Sequence, residues 1–318
     1  MPILNNSSYK PAPWLRGRHL QTIVPNRFRY VRGVVYLRER IDTPDQDFLD
    51  LDWSRIGSAR VAIVTHGLEG CTIRPYVKGM VKVLNQNGWD ALAWNLRGRS
   101  GELNKQPYSY HSGKTEDLQL VIQHALRAYQ TIALIGFSLG GNLTLKYLGE
   151  QGDLAPDQVK AAITFSVPCD LRSGSEKLGE PGNWIYLRRF LRELKKTVAA
   201  KSERDSGLFD AKKLLSSRNF REFDDRFTAP INGFRDADDY YEKCSCCYFL
   251  CKIRVPSLIV NARNDPFLGN ECYPTEECEK NEYVTLEIPD EGGHVGFPLG
   301  WGRYWSEDRA IEFLGHSM

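Results

Sequence analysis

Along the chain, short apolar runs alternate with amphipathic stretches. Arg60–Thr65, Asp90–Asn95, Thr131–Ile135, Val159–Ser166, Val255–Asn261 and Tyr283–Ile288 are apolar, only a few residues long and bounded by turn formers, which predicts buried strands. Val34–Arg38 and Asp47–Trp53 predict two more, paired as a hairpin at a sheet edge. Between these runs lie helix patterns: Tyr76–Asn87 closed by Gly88, a helix from Thr115 through Tyr129, one from Asn142 to Gly149, and a closing helix over Ser306–Leu314. Strands that alternate with helices predict an α/β fold, a mostly parallel, eight-stranded-type sheet with helices on both faces.

The alternation stops between Asp170 and about Cys251, where no strand pattern occurs. Ile185 to Lys201 reads as a helix with Leu187, Leu191, Leu194 and Val198 on one stripe and Arg188, Arg189, Arg192, Lys195 and Lys196 around the rest. Further helix-like pieces fall at Asp210–Ser217 and Asp236–Leu250. The expected organisation is a single domain over 1–318, with a helical cap inserted at about 170–251 and an irregular N-terminal arm over 1–30, punctuated by Pro11, Pro13 and Pro25 and packed on the core. There are no internal repeats or low-complexity segments.

Composition narrows the class. The 318 residues suffice for one large α/β domain, and 42% hydrophobic with 26% charged residues is ordinary for a soluble globular protein. A net charge of 42 − 40 = +2 gives no reason to expect nucleic acid. No apolar run approaches the length of a membrane span, and Met1-Pro-Ile-Leu-Asn-Asn lacks a basic region followed by an apolar one, so a cytoplasmic protein without a secretory leader is expected. The basic helix at 185–201 suits either a solvated outer face or weak contact with a membrane surface. Oligomeric state is not legible. Eight cysteines with no leader are expected as free thiols; Cys244, Cys246, Cys247 and Cys251 lack the paired C-x2-C spacing of a structural zinc site and read as thiols on a helix. Gly113-Lys-Thr is not a phosphate loop, because Tyr108 stands where that loop needs glycine and no strand precedes it.

The chemistry centres on Gly136-Phe137-Ser138-Leu139-Gly140, between a buried-strand run and a helix. A serine on so sharp a strand-to-helix turn projects its hydroxyl clear of the backbone, and the helix start aims N–H groups toward it. The bare pentapeptide arises by chance in roughly one chain of this length in ten; the order of what surrounds it matters more. Arg60–Thr65 runs into His66-Gly67-Leu68, a loop placed to supply a second backbone N–H. Asp265 follows the run Val255–Asn261, and His294 follows Tyr283–Ile288 with Gly292 and Gly293 before it. Serine, acid and histidine in that order predict Ser138 as nucleophile, His294 as base and Asp265 as the group orienting the imidazole. The N–H groups of Leu68 and Leu139 are then the expected oxyanion hole. His66 is expected to shape its loop, and His19 to belong to the packed arm. No metal or organic cofactor is required.

Over nearly its whole length the chain resembles the YheT-like branch of the α/β-hydrolases, also called AB hydrolase family four. The resemblance is carried by His19-Leu-Gln-Thr-Ile, His66-Gly-Leu-Glu-Gly, Asn95-Leu-Arg-Gly, Tyr110-His-Ser-Gly, Gly136-Phe-Ser-Leu-Gly-Gly-Asn, Phe223-Asp-Asp-Arg-Phe-Thr-Ala-Pro and Gly292-Gly-His-Val-Gly-Phe. It implies a Ser138/Asp265/His294 triad that hydrolyses small-molecule carboxylic esters, with short to medium acyl chains or phospholipids as substrates. Acyl transfer to an alcohol would use the same acyl-enzyme, and a binding protein on the same scaffold is the alternative outside enzymes. Arg99 and Asn264 depart from the pattern, the first standing where relatives often carry a small residue or cysteine, the second where an acidic residue is common.

Overall fold

The computed structural model describes residues 3–204, 215–300, 302 and 304–316; of the helix expected at Asp210–Ser217, residues 210–214 lie outside them. Among the described residues nine strands form one sheet: β1 (Ile3–Leu4), β2 (Leu37–Asp42), β3 (Phe48–Ser54), β4 (Arg60–Thr65), β5 (Asp90–Asn95), β6 (Thr131–Phe137), β7 (Val159–Phe165), β8 (Ser257–Val260) and β9 (Val284–Glu287). Their order is β1-β9-β8-β7-β6-β4-β5-β3-β2. Only β2 with β3 and β3 with β5 pair antiparallel; the rest is parallel.

The apolar runs become strands because both faces of the sheet are covered. In β4, Val61 and Ile63 point into one core layer and Ala62 and Val64 into the other. The first layer is closed by α3 (Thr115–Leu126) and α4 (Leu139–Gln151), through Leu118, Val121, Ile122 and Leu143. The second is closed by α2 (Pro75–Gln86) and the helix Trp305–His316, through Val77, Met80, Leu84 and Leu314. Every residue of α4 from Leu139 to Gly149 is buried, so it shows little amphipathic period.

Three elements differ from the sequence reading. β2 begins at Leu37, later than expected, because charge holds it: Arg38 and Arg40 lie opposite Asp52 and Asp50 and form paired guanidinium–carboxylate contacts. The arm is not irregular. It supplies β1, a ninth strand beyond the eight expected, which pairs with β9, and α1 (Arg18–Phe28), whose buried residues are Gln21, Thr22 and Pro25, so no hydrophobic stripe announces it. The helix expected over Asp236–Leu250 ends at Cys244 and resumes as a 3-10 turn from Cys246 to Lys252. Asn142 of α4 causes the break: its amide donates to the Cys244 carbonyl at 2.8 Å and its oxygen accepts from the Cys246 N–H at 2.9 Å.

Between β7 and β8 the chain runs through α5 (Leu171–Gly179), α6 (Trp184–Arg204), Phe220–Phe223, a π turn at Asp224–Thr228 and the helix Ala237–Cys244. Asp170 caps α5 through the Ser173 N–H, and Asp236 caps the last helix through the Asp239 N–H. Cys244, Cys246 and Cys247 are buried and Cys251 is exposed. Among the described residues no group of His, Cys, Asp and Glu is arranged to hold a metal ion, and no helix is long and apolar enough to cross a membrane.

Candidate active site

Ser138 joins β6 to α4 with φ 53° and ψ −120°, a left-handed conformation that costs a non-glycine residue about 1–3 kcal/mol. The turn is tolerated because the residues two positions to either side, Gly136 and Gly140, lack side chains. A Cβ on Gly136 would come 2.5 Å from the Gly140 carbonyl oxygen, and one on Gly140 would come 2.5 Å from the Thr65 carbonyl oxygen. The Ser138 N–H donates to the Phe165 carbonyl of β7 at 2.8 Å, fixing the elbow to the sheet.

Three loops at the carboxyl ends of parallel strands bring the predicted residues together. His294 Nε2 lies 2.9 Å from Ser138 Oγ, and His294 Nδ1 lies 2.9 and 3.1 Å from the Asp265 carboxylate oxygens. A carboxylate there accepts the Nδ1 proton, so Nε2 is left to accept from the serine hydroxyl. Asp265 is buried and also accepts from the Phe267 N–H at 2.9 Å, and the Phe267 ring packs 4.2 Å from the imidazole. The glycines before His294 turn with φ 158° and 62°; a Cβ on Gly293 would meet Gln21 at 2.8 Å.

That contact belongs to a support absent from the sequence reading. Thr22 Oγ1 of α1 accepts from the His294 N–H at 2.9 Å, and Gln21 Oε1 accepts from the Gly292 N–H at 2.9 Å. Asn264 donates to Gln21 Oε1 at 2.9 Å and accepts from the Gly293 N–H at 3.0 Å, so it ties the Asp265 loop to the His294 loop. The amide donates and accepts at once, which an ionised carboxylate at that position would not do. The polar inward face of α1 was the available signal. His19, one turn away, faces Tyr186 of α6 and not the serine.

The loop after β4 lies against the serine: a Cβ on Gly67 would be 3.0 Å from the Ser138 Cβ. His66 is fully buried, accepts from the Leu96 N–H at 3.2 Å and donates to the Gly67 carbonyl at 2.8 Å; burial pulls its pKa down to about 3, so it is a neutral brace. Glu69 follows with φ 52°. Tyr110 accepts from the Glu69 N–H at 2.9 Å and donates to its carboxylate at 2.7 Å, while Arg99 reaches the same carboxylate at 2.8 Å and the Glu69 carbonyl at 3.1 Å. Burial raises the Glu69 pKa, and the Arg99 charge opposes that rise. The departure at Arg99 is thus a clamp on this loop. Arg97 is buried among Asp45, Asp47 and Asp117, which accounts structurally for the Asn95-Leu-Arg-Gly segment. Leu139 opens α4, so its N–H has no partner within the helix. Both Leu68 and Leu139 line the same cavity as Ser138 and His294.

The cavity, about 130 Å³, runs beneath α5 and α6, walled by side chains such as Leu171, Phe190, Leu194, Phe223, Phe227 and Leu268. Asp224 also lines it, accepting from Thr228 at 2.6 Å and from Tyr241 at 2.8 Å; burial raises its pKa to about 6.

The chain matches the α/β hydrolase fold family over residues 63–300. It is similar to YheT of Escherichia coli (strain K12), with 34% identity covering 98% of this chain and 94% of that protein. It is similar to phospholipase ABHD3 of Bos taurus, with 31% identity covering 93% of this chain and 75% of that protein. The solved Pyrococcus furiosus esterase Pf2001 shares its fold, with a TM-score of 0.62 and 17% identity over 91% of this chain and 96% of that one.

Proposed function

This chain belongs to the α/β-hydrolase family, in its YheT-like branch, and on that premise we propose that it hydrolyses carboxylic esters through an acyl-enzyme on Ser138. The observation that carries the reading is the unbroken relay from Ser138 Oγ through His294 to Asp265, at 2.9 Å for both inner contacts.

In this mechanism His294 Nε2 takes the hydroxyl proton as Ser138 Oγ attacks the ester carbonyl, and Asp265 stabilises the resulting imidazolium. The carbonyl oxygen becomes an oxyanion and accepts hydrogen bonds from the Leu68 and Leu139 N–H groups, each contributing about 3 kcal/mol to the barrier reduction. The imidazolium then protonates the departing alkoxide. Water attacks the acyl-enzyme with His294 as base, and the serine proton is restored when the carboxylic acid leaves. The apolar cavity beside Ser138 supports an acyl chain of short to medium length, and a relative named as a phospholipase supports ester substrates in general.

The test is turnover of p-nitrophenyl esters from acetyl to palmitoyl by the wild-type protein and Ser138→Ala. Loss of turnover on the order of a millionfold in the variant is expected. Undiminished activity in Ser138→Ala, or no hydrolysis of any ester by folded wild type, would overturn the reading.

A further inference from the structure

The outer sides of α1 and α6 form one surface. His19 Nδ1 of α1 lies 3.0 Å from the Tyr186 hydroxyl of α6, and the two rings stack at 5.7 Å. Arg189 of α6 has its pKa lowered by burial and then by the charges of Arg74, Arg192 and Arg27, with Glu193 opposing.

This surface exposes large apolar side chains. Leu20, Ile23 and Phe28 on α1 and Trp184 and Ile185 on α6 are each between 39% and 63% exposed. Leu20, Ile23 and Arg27 follow helical spacing on α1, and Ile185, Arg188 and Arg192 do so on α6, so on each helix apolar and basic groups share a side.

Charge is segregated as well. Residues 1–38 contain Lys10, Arg16, Arg18, Arg27, Arg29, Arg32 and Arg38 and no Asp or Glu. Arg29 and Arg38 are neutralised by Glu307 and Asp52. Arg16, Arg18 and Arg27, with Arg188 and Arg189 of α6, enter no ion pair among the described residues. The small net charge of the whole chain hides this local excess.

We propose that the joined face of α1 and the first turns of α6 docks on an anionic lipid surface, its apolar side chains entering the acyl boundary and its arginines meeting the headgroups. Both halves of that chemistry are required. Arginines alone would suit any polyanion, and exposed Leu, Ile, Phe and Trp gain nothing from a phosphate backbone in water. The inner side of α1 holds the His294 loop, and the inner side of α6 walls the cavity with Phe190 and Leu194. A docked protein would therefore present its cavity to esters held in a lipid assembly; that consequence for substrate rests on the function proposed above, whereas the docking does not.

The test is flotation of the full chain with vesicles of phosphatidylcholine alone and of phosphatidylcholine mixed with phosphatidylglycerol, with tryptophan emission as a second readout. Wild type should float with the mixed vesicles only, shift its emission to the blue, and detach as salt is raised. Arg27→Ala, Arg188→Ala and Arg189→Ala should each lower partitioning about fivefold. Ile23→Ser with Ile185→Ser should weaken binding at every salt concentration, with turnover of a water-soluble ester unchanged. Equal retention on both vesicles, retention on neither, preference for duplex DNA or RNA, or variants that bind as wild type does would overturn the proposal. A protein that floats but hydrolyses no ester would sink the esterase reading and leave docking standing; an active esterase that never floats would do the reverse.

Discussion

Thr22 accepts a hydrogen bond from the backbone N–H of His294 at 2.9 Å, although 272 positions separate them in sequence. The N-terminal helix therefore holds the His294 loop from outside the sheet. Thr22→Val keeps the shape of the side chain and orphans that N–H, a loss of about 1–3 kcal/mol. A fall in kcat of roughly ten- to a hundredfold is expected with KM little changed, since small misplacements of a base are costly. Steady-state kinetics and the rate of Ser138 labelling by a fluorophosphonate would both report it; a loss confined to thermal stability would deny the positioning role.

Glu69, Arg99 and Tyr110 should control the oxyanion loop. Tyr110→Phe removes both of the contacts that the hydroxyl makes with Glu69. Arg99→Ala removes the clamp on the Glu69 carbonyl and carboxylate. Both should lower kcat by about tenfold or more, with the loss in the chemical step. Comparing pre-steady-state acylation rates for substrates with good and poor leaving groups would check this: a change limited to KM would assign these residues to substrate binding instead.

Asp265→Asn should keep the fold, because the amide oxygen can still accept from the Phe267 N–H. It should cost about 10⁴ in kcat, since an amide facing Nδ1 favours the wrong imidazole tautomer. Circular dichroism beside kinetics separates the two effects.

Acid should destabilise the protein in the window set by two buried histidines. Burial pulls His66 and His111 from 6.5 to about 3. Between those values the unfolded chain binds more protons than the folded one, so stability is full above about pH 6.5 and declines as pH falls toward 3. Asp224 works in the opposite sense: its pKa is raised from 3.8 to about 6, so its contribution is present below 3.8 and lost as pH rises through 6. The two histidines should outweigh it. Urea midpoints measured from pH 7 down to 4 should fall, and His111→Phe, whose ring fits against Phe234 and Tyr240, should flatten the slope. A midpoint that rises on acidification would contradict this balance.

Gly140→Ala should fail by overpacking. Its Cβ would meet the backbone carbonyls of Thr65 and His66, with oxygens at 2.5 and 2.6 Å and no flexible side chain to yield. A stability loss of about 1–3 kcal/mol or more is expected from thermal unfolding. An alanine variant as stable as wild type would show that the elbow can open there.

Much of this protein is determined by its sequence alone. The central strands are legible because each is buried on both faces and so reads as a continuous apolar run; β4 and β5 begin and end where that pattern does. Ser138, Asp265 and His294 are legible because each sits on a loop leaving such a strand, with the glycines its local turn needs. What the tertiary structure decided is the polar scaffolding around them. Gln21, Thr22 and Asn264 meet the His294 loop, and Glu69 meets Arg99 and Tyr110, across separations that carry no period. The same holds for α1, read as irregular because its inward residues are polar, and for the break at Ser245, imposed by Asn142 from another helix. Hydrophobic burial repeats with the geometry of its element and leaves a pattern in the chain. A hydrogen bond between distant loops needs only one donor and one acceptor, and these become partners only once the sheet has brought its strand ends together.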